Sequence, residues 1–251
     1  MTSVALAPCY VFGIVPATDV GSRPIAGAQP SGGSGITAIR VVSRGALAAV
    51  VGSAPVDRPI GRAADLRTHD AVLASLVADE VPVLPLRFGA VLADEQAVLD
   101  ELLEPHHDEF VRALEQLRGR LQFVVRARYE QDTILREVLA DHPEIARLRQ
   151  HPDQADWNQQ IRLGELVVAA LERRRPGDAE TVLAALTPLA VAVRRQEVSA
   201  ADEVLHLAVL VDRSSRNGFE RAVEECGRSF AGRIRFRLVG PVAPYDFVPE
   251  G

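Results

Sequence analysis

The run Val81-Pro82-Val83-Leu84-Pro85-Leu86-Arg87-Phe88-Gly89 limits the possible folds more than any other stretch of the chain. It is apolar, which favours a strand. Its two prolines remove backbone donors and fix φ, so it fits badly inside a sheet. The segment therefore reads as a short edge strand that ends in a turn at Gly89. A helical pattern over Ala64–Asp79 precedes it, with Leu66, Val72, Leu73, Leu76 and Val77 as the buried stripe. An acidic helix near Asp94–Leu103 follows. Arg87 is the sole charge in the run. A partly buried arginine needs a carboxylate or carbonyl partner, so Arg87 is expected to anchor the segment internally or to meet a protein partner. Leu84, Leu86, Arg87 and Phe88 are the candidate partner-contact residues, on a strand edge that could extend a partner's sheet.

The flanking sequence places this segment in an α+β chain of two domains. Cys9–Pro16 reads as a strand, and Thr18–Gly35 as a loop. Ile36–Ser43 and Ala46–Ser53 flank Arg44-Gly45 as a β-hairpin. Pro105 starts a helix over His106–Arg118 that Gly119 ends. From about Leu121 the order is strand (Leu121–Tyr129), helices, strand (Ala190–Val198), strand (Glu203–Val211), helix (Phe219–Phe230), strand (Arg233–Val239). That is the βαββαβ order of a ferredoxin-like domain, modified by extra helices in the first crossover. Those helices are expected over Glu130–Arg149, Trp157–Arg175 and Asp178–Leu186, with Pro176-Gly177 breaking the last two apart. The expected division is an N-terminal α+β domain over 1–119, a ferredoxin-like domain over 120–240 and a proline-rich tail over 241–251.

Composition removes several function classes. The formal net charge is -6, with none of the basic footprint of a general nucleic-acid binder. The chain contains no lysine, so its 28 basic residues are all arginine. Walker-A, Schiff-base and kinase lysine chemistry are thereby excluded. Cys9 and Cys226 are too few for a disulfide framework. No long uncharged apolar stretch suggests a membrane span, and Met1–Pro8 lacks a signal-peptide pattern. The expected compartment is the cytoplasm.

Candidate chemistry is sparse. His106-His107-Asp108-Glu109 gathers metal-ligand types, but adjacent helical side chains diverge by roughly 100°, whereas a helical zinc site wants i, i+4 spacing. It reads as a charged first turn. His142-Pro143 and His151-Pro152 read as helix boundaries, and Ser31–Gly35 as a flexible loop without the lysine of a phosphate cradle. His69-Asp70 reads as a solvated helix face, and His206 as a sheet histidine. No catalytic, cofactor or metal site is expected.

Four pieces resemble the GvpF/GvpL family of gas vesicle proteins: Tyr10-Val11-Phe12-Gly13-Ile14-Val15-Pro16, Leu84-Pro85-Leu86-Arg87-Phe88-Gly89, the strand Leu121–Tyr129 with Glu130, and Gly240-Pro241-Val242-Ala243-Pro244-Tyr245-Asp246-Phe247-Val248. Ala243 departs from the family's usual proline. The resemblance implies two α+β domains, the second a modified ferredoxin-like fold, with a tail that packs back on them. It implies a non-enzymatic minor component of gas vesicles that binds the small hydrophobic shell protein and other accessory proteins and assists assembly. It places the protein at the vesicle, on the gas-facing surface, and in the cytoplasm during assembly. The residues alone leave two alternatives open, an enzyme or a small-ligand regulatory module on the same scaffold.

Overall fold

The computed structural model describes residues 8–20, 32–130, 132–133, 136–137, 140 and 157–249. Both His-Pro pairs, most of the helix expected over Glu130–Arg149, and much of the loop expected over Thr18–Gly35 lie outside them. The chain divides into two compact units. One combines Met1–Gln122 with Pro241–Gly251, and the other is Phe123–Gly240.

The first unit is built on an antiparallel sheet in the order β2-β3-β1-β4, with β5 also paired to β1. Its elements are β1 (Cys9–Pro16), α1 (Ala17–Val20), β2 (Thr37–Arg44), β3 (Leu47–Ser53), α2 (Ala63–Ala78), β4 (Leu84–Pro85), β5 (Val91–Leu92), α3 (Glu95–Ala97) and α4 (His107–Leu117). All eight positions of β1 are buried. Tyr10 and Phe12 join Val50, Val72, Leu73 and Leu76 in one core beside α2. The helical run from Glu95 onward, which widens into a π-helical stretch over Val98–Leu103, and α4 also contact β1 or β3. A strand covered on both faces loses the apolar–polar alternation, which is why CYVFGIVP reads as one continuous apolar run. At the far edge, β2 sends Arg40 to Glu95 and Arg44 to Asp100 and Glu104.

Glycine is required at one point in β1. A Cβ on Gly13 would lie 2.8 Å from Val83 Cγ2 and 2.9 Å from the Leu84 carbonyl oxygen. The β1 register shifts between Val11 and Gly13, and β4 closes onto the strand there.

The second unit runs β6 (Arg120–Tyr129), α5 (Trp157–Leu186), β7 (Ala192–Arg195), β8 (Glu203–Asp212), α6 (Arg216–Ser229) and β9 (Ile234–Val242), with strand order β7-β8-β6-β9. β7 and β8 form an antiparallel hairpin. Phe123 and Phe219 meet in the core with ring centroids 5.4 Å apart. The Tyr129 hydroxyl donates to Asp178 at 2.7 Å, and Arg233 binds the same carboxylate through two nitrogens at 2.8 and 3.0 Å.

Two expectations are corrected here. Pro176-Gly177 does not divide two helices, because α5 continues through Pro176 to Leu186. Proline costs one backbone bond, but Asp178, Val182 and Leu186 are buried and keep the following turns in line. The final strand runs on to Val242 and so takes up the first residues of the expected tail. Among the described residues, no helix is long and apolar enough to cross a membrane.

Candidate functional site

Residues 84–92 form one interrupted strand along β1. Leu84 and Pro85 pair with Ile14 and Gly13, and the Leu86 N–H donates to the Phe12 carbonyl at 2.9 Å. The chain then leaves the sheet. It returns where the Val11 N–H donates to the Ala90 carbonyl at 2.9 Å and Val91 and Leu92 pair with Tyr10 and Cys9. The excursion is a β-turn, closed by the Ala90 N–H on the Arg87 carbonyl at 3.2 Å, with Gly89 at φ +96°. A positive φ at the third turn position is the demand of a type II turn, and glycine meets it without steric cost. The segment is thus an edge strand carrying an extruded tip.

The four candidate residues divide along this path. Leu84 is buried, Leu86 is half-buried, and Arg87 and Phe88 are exposed. Arg87 is not the partly buried anchor expected, and it has no ion pair among the described residues. The turn lifts it clear of the apolar strand into water, where a guanidinium needs no protein partner.

Beneath the tip lies a residue that the sequence reading misplaced. His69 is 1% exposed and sits under the turn rather than on a solvated helix face. Its ring stacks on Phe12 at 5.8 Å and meets Phe88 edge-on at 5.7 Å. Nδ1 lies 2.7 Å from the Tyr10 hydroxyl, and Nε2 lies 2.6 Å from that of Tyr245. The Gly89 N–H donates to the Tyr10 oxygen at 3.3 Å. We assign the Tyr10 proton to Nδ1 and the imidazole proton to Nε2, which satisfies all three groups at once. Three segments far apart in sequence, around Tyr10, Phe88 and Tyr245, therefore converge on one imidazole. The tail residue next to Tyr245 is fixed as well, because the Asp246 N–H donates to Gln122 Oε1 at 3.2 Å and Asp246 accepts from Gln122 Nε2.

Burial sets the electrostatics of the cluster. Desolvation holds His69 below its ordinary value, with the Asp70 charge opposing it, so the ring is neutral. Burial pushes Tyr10 up to about 12, against the Gly89 N–H, and raises Tyr245 as well. Both imidazole nitrogens are occupied by phenols that stay protonated. The arrangement holds and orients side chains, and it offers no activated nucleophile.

One helical turn away, Asp65 is fully buried at the third position of α2. It accepts from Arg58 at 2.7 and 2.8 Å and from the N–H groups of Gly35, Gly61 and Arg62 at 2.8, 3.2 and 3.0 Å. The Arg58 bonds, with these backbone donors, hold its carboxyl well below the usual range. A spacing signal for both residues was present. Asp65, Thr68, His69, Val72, Leu73 and Leu76 recur at helical spacing and are all buried, whereas Leu66, expected on the stripe, is 43% exposed.

The remaining candidates stay dispersed. His106 and His107 lie beside Glu109 and Asp108 of their own turn, at 3.5 and 3.0 Å. No group of three metal-ligating side chains occurs among the described residues. Cys9 and Cys226 are buried free thiols that desolvation pushes up.

With this geometry in place, the similarities are specific. Residues 8–249 match the family model described as gas vesicle synthesis protein GvpL/GvpF. Gas vesicle protein F of Streptomyces sp. (strain CB03234) is 34% identical over 214 residues, 84% of this chain and 87% of its own length. Gas vesicle protein L of the same strain is 33% identical over 258 residues, 90% of each. The crystal structure of GvpF from Anabaena sp. PCC7120 superposes with a TM-score of 0.76, over 98% of this chain and 99% of that one, at 20% identity.

Proposed function

The chain belongs to the GvpL/GvpF family of gas vesicle synthesis proteins, and on that premise we propose that it is a non-enzymatic minor component of gas vesicles that binds the small hydrophobic shell protein and assists its assembly. The turn Arg87–Ala90 carries this reading. It presents an exposed cation and an exposed aromatic ring on adjacent residues, with the Tyr10–His69–Tyr245 hydrogen bonds and the Gly89 N–H bond holding the turn beneath them. Exposed Leu66 and Tyr245, on the elements that surround His69, add apolar surface to the same unit. Apolar surface beside a cation suits a partner segment that is apolar with an acidic flank. Leu84 and Leu86 support the turn from below, and Arg87 and Phe88 make the contact.

The same reading takes the second unit as a modified ferredoxin-like domain. Numbered within the unit, its strands lie in the order 2-3-1-4 with helices in both crossovers, which is the arrangement that fold requires. Its place is the vesicle and its gas-facing surface, with other accessory proteins as further partners and the cytoplasm as the site of assembly. Engagement of both His69 nitrogens by phenols supports a structural role over a catalytic one.

The test is capture of the shell protein by the wild-type chain, by Arg87→Glu and by Phe88→Ser, each first shown to be folded by its thermal transition. Loss of capture by either variant is expected. Full capture by both folded variants would overturn the proposal.

A further inference from the structure

The second unit carries a different surface. β9 is the terminal strand of its sheet, and at nine residues it is long for an exposed edge. Its side chains alternate. Ile234 is buried and Phe236 and Leu238 are half-buried, whereas Arg235 and Arg237 are exposed. The apolar set lines an open groove of about 670 Å³ between β9 and α6, with Val223 and Gly227 on its floor, Glu220 and Glu224 on its rim and the Glu130–Arg235 pair at its margin. Phe230 supports Phe236 from the end of α6, with ring centroids 6.1 Å apart. Arg235 reaches Glu130 at 3.3 Å, while Arg237 has no ion pair among the described residues.

We propose that β9 accepts an extended segment of a partner protein as an added strand, and that this segment alternates apolar and acidic side chains. Among the described residues no strand pairs with the outer edge of β9, so it offers backbone donors and acceptors. Side chains on one face of the incoming strand enter the groove, where the apolar lining favours apolar groups and Glu224, with Glu220 already paired to Arg216, disfavours carboxylates. Side chains on the opposite face lie across from Arg235 and Arg237, where carboxylates form cross-strand pairs and cations repel. The same arginines argue against a second copy of this chain as the occupant, because β9 paired with itself would set arginine against arginine. This surface uses none of the residues invoked for the Arg87 turn, so the two proposals stand or fall separately.

The probe is a capped nine-residue peptide alternating valine and glutamate, with a valine–lysine peptide as control, titrated against the full chain by fluorescence anisotropy. Saturable binding of the valine–glutamate peptide and weaker binding of the lysine peptide are expected. Arg237→Glu, at an exposed position that leaves the core intact, should weaken the glutamate peptide about tenfold and reverse the preference. N-methylating alternate residues of the peptide in one register should abolish binding, and in the other register should leave it. The proposal is overturned by the absence of saturable binding, by equal affinity for the two peptides, by indifference to Arg237→Glu, or by equal tolerance of both N-methylation registers.

Discussion

His69 is a histidine whose function depends on its neutrality. Each ring nitrogen serves one phenol, and the ring fills the space between Phe12 and Phe88. His69→Phe would keep the packing and strip both bonds, leaving the buried Tyr10 hydroxyl without its acceptor. The expected loss is about 1–3 kcal/mol, read from urea denaturation. Tyr245→Phe removes one bond to a partly exposed hydroxyl and should cost about 1 kcal/mol. Because the two share the Nε2 contact, the double variant should cost less than the sum. The pH dependence has a definite sign. His69 is depressed below its ordinary 6.5, so the unfolded chain takes up that proton first and stability falls as pH drops below about 6.5. Asp65 is also depressed, so its contribution is complete above its ordinary 3.8 and is lost as pH falls below it. Stability measured against pH should therefore begin to fall below about 6.5 and fall further below about 3.8, and His69→Phe should flatten the first part alone. A curve with the same upper slope in that variant would assign the effect to another group.

At the scale of elements, the interrupted strand from Leu84 to Leu92 shows what a single sequence can and cannot reveal. Pro82, Pro85 and Gly89 carry their conformational consequences in their own chemistry, so an edge strand ending in a turn was legible. The hairpin at Gly45 and the helix ending at Gly119 were legible for the same reason, both glycines having positive φ. The partner of the turn was not legible, because the residues that meet it come from Tyr10, His69 and Tyr245, and no local pattern encodes contacts at such separations. His69 was misread because polar residues were left off the apolar stripe of α2, although Asp65, Thr68 and His69 hold its spacing. Pro176 misled in the opposite direction, since buried contacts of Asp178 and Val182 carried α5 past it. Gly89→Ala isolates the role of the turn. Nothing lies within 4 Å of the added methyl group, so the cost is conformational alone, about 1–2 kcal/mol at φ +96°. Thermal denaturation should show that loss. An unchanged midpoint would mean that the turn relaxes freely, and Phe88 could not then be held in one position.

On the scale of the whole molecule, the chain closes on itself. The second unit is inserted into the first, because Pro241–Gly251 clusters with Met1–Gln122 rather than with the residues that precede it. The first unit is therefore incomplete without the segment after Gly240. Ala243 is buried in its core, Tyr245 supplies one bond of the His69 bridge, and Asp246 is held by Gln122. The N-terminal 122 residues cannot form that cluster alone, so the cost of removing the tail should fall on one unit. Truncation before Ala243 exposes the Nε2 side of His69 and empties the Ala243 site. Amide hydrogen exchange resolves the two units by segment and so reports where the damage falls. In the truncated chain, exchange should accelerate across β1 and α2 and at Gly89, and should stay near the full-length rates in β8 and α6. Supplying the missing residues as a free peptide should restore protection in β1, and the same peptide carrying the Tyr245→Phe change should restore less. Uniform acceleration across both units would show instead that they unfold as a single cooperative block, and the tail would then hold the entire molecule rather than the unit around His69.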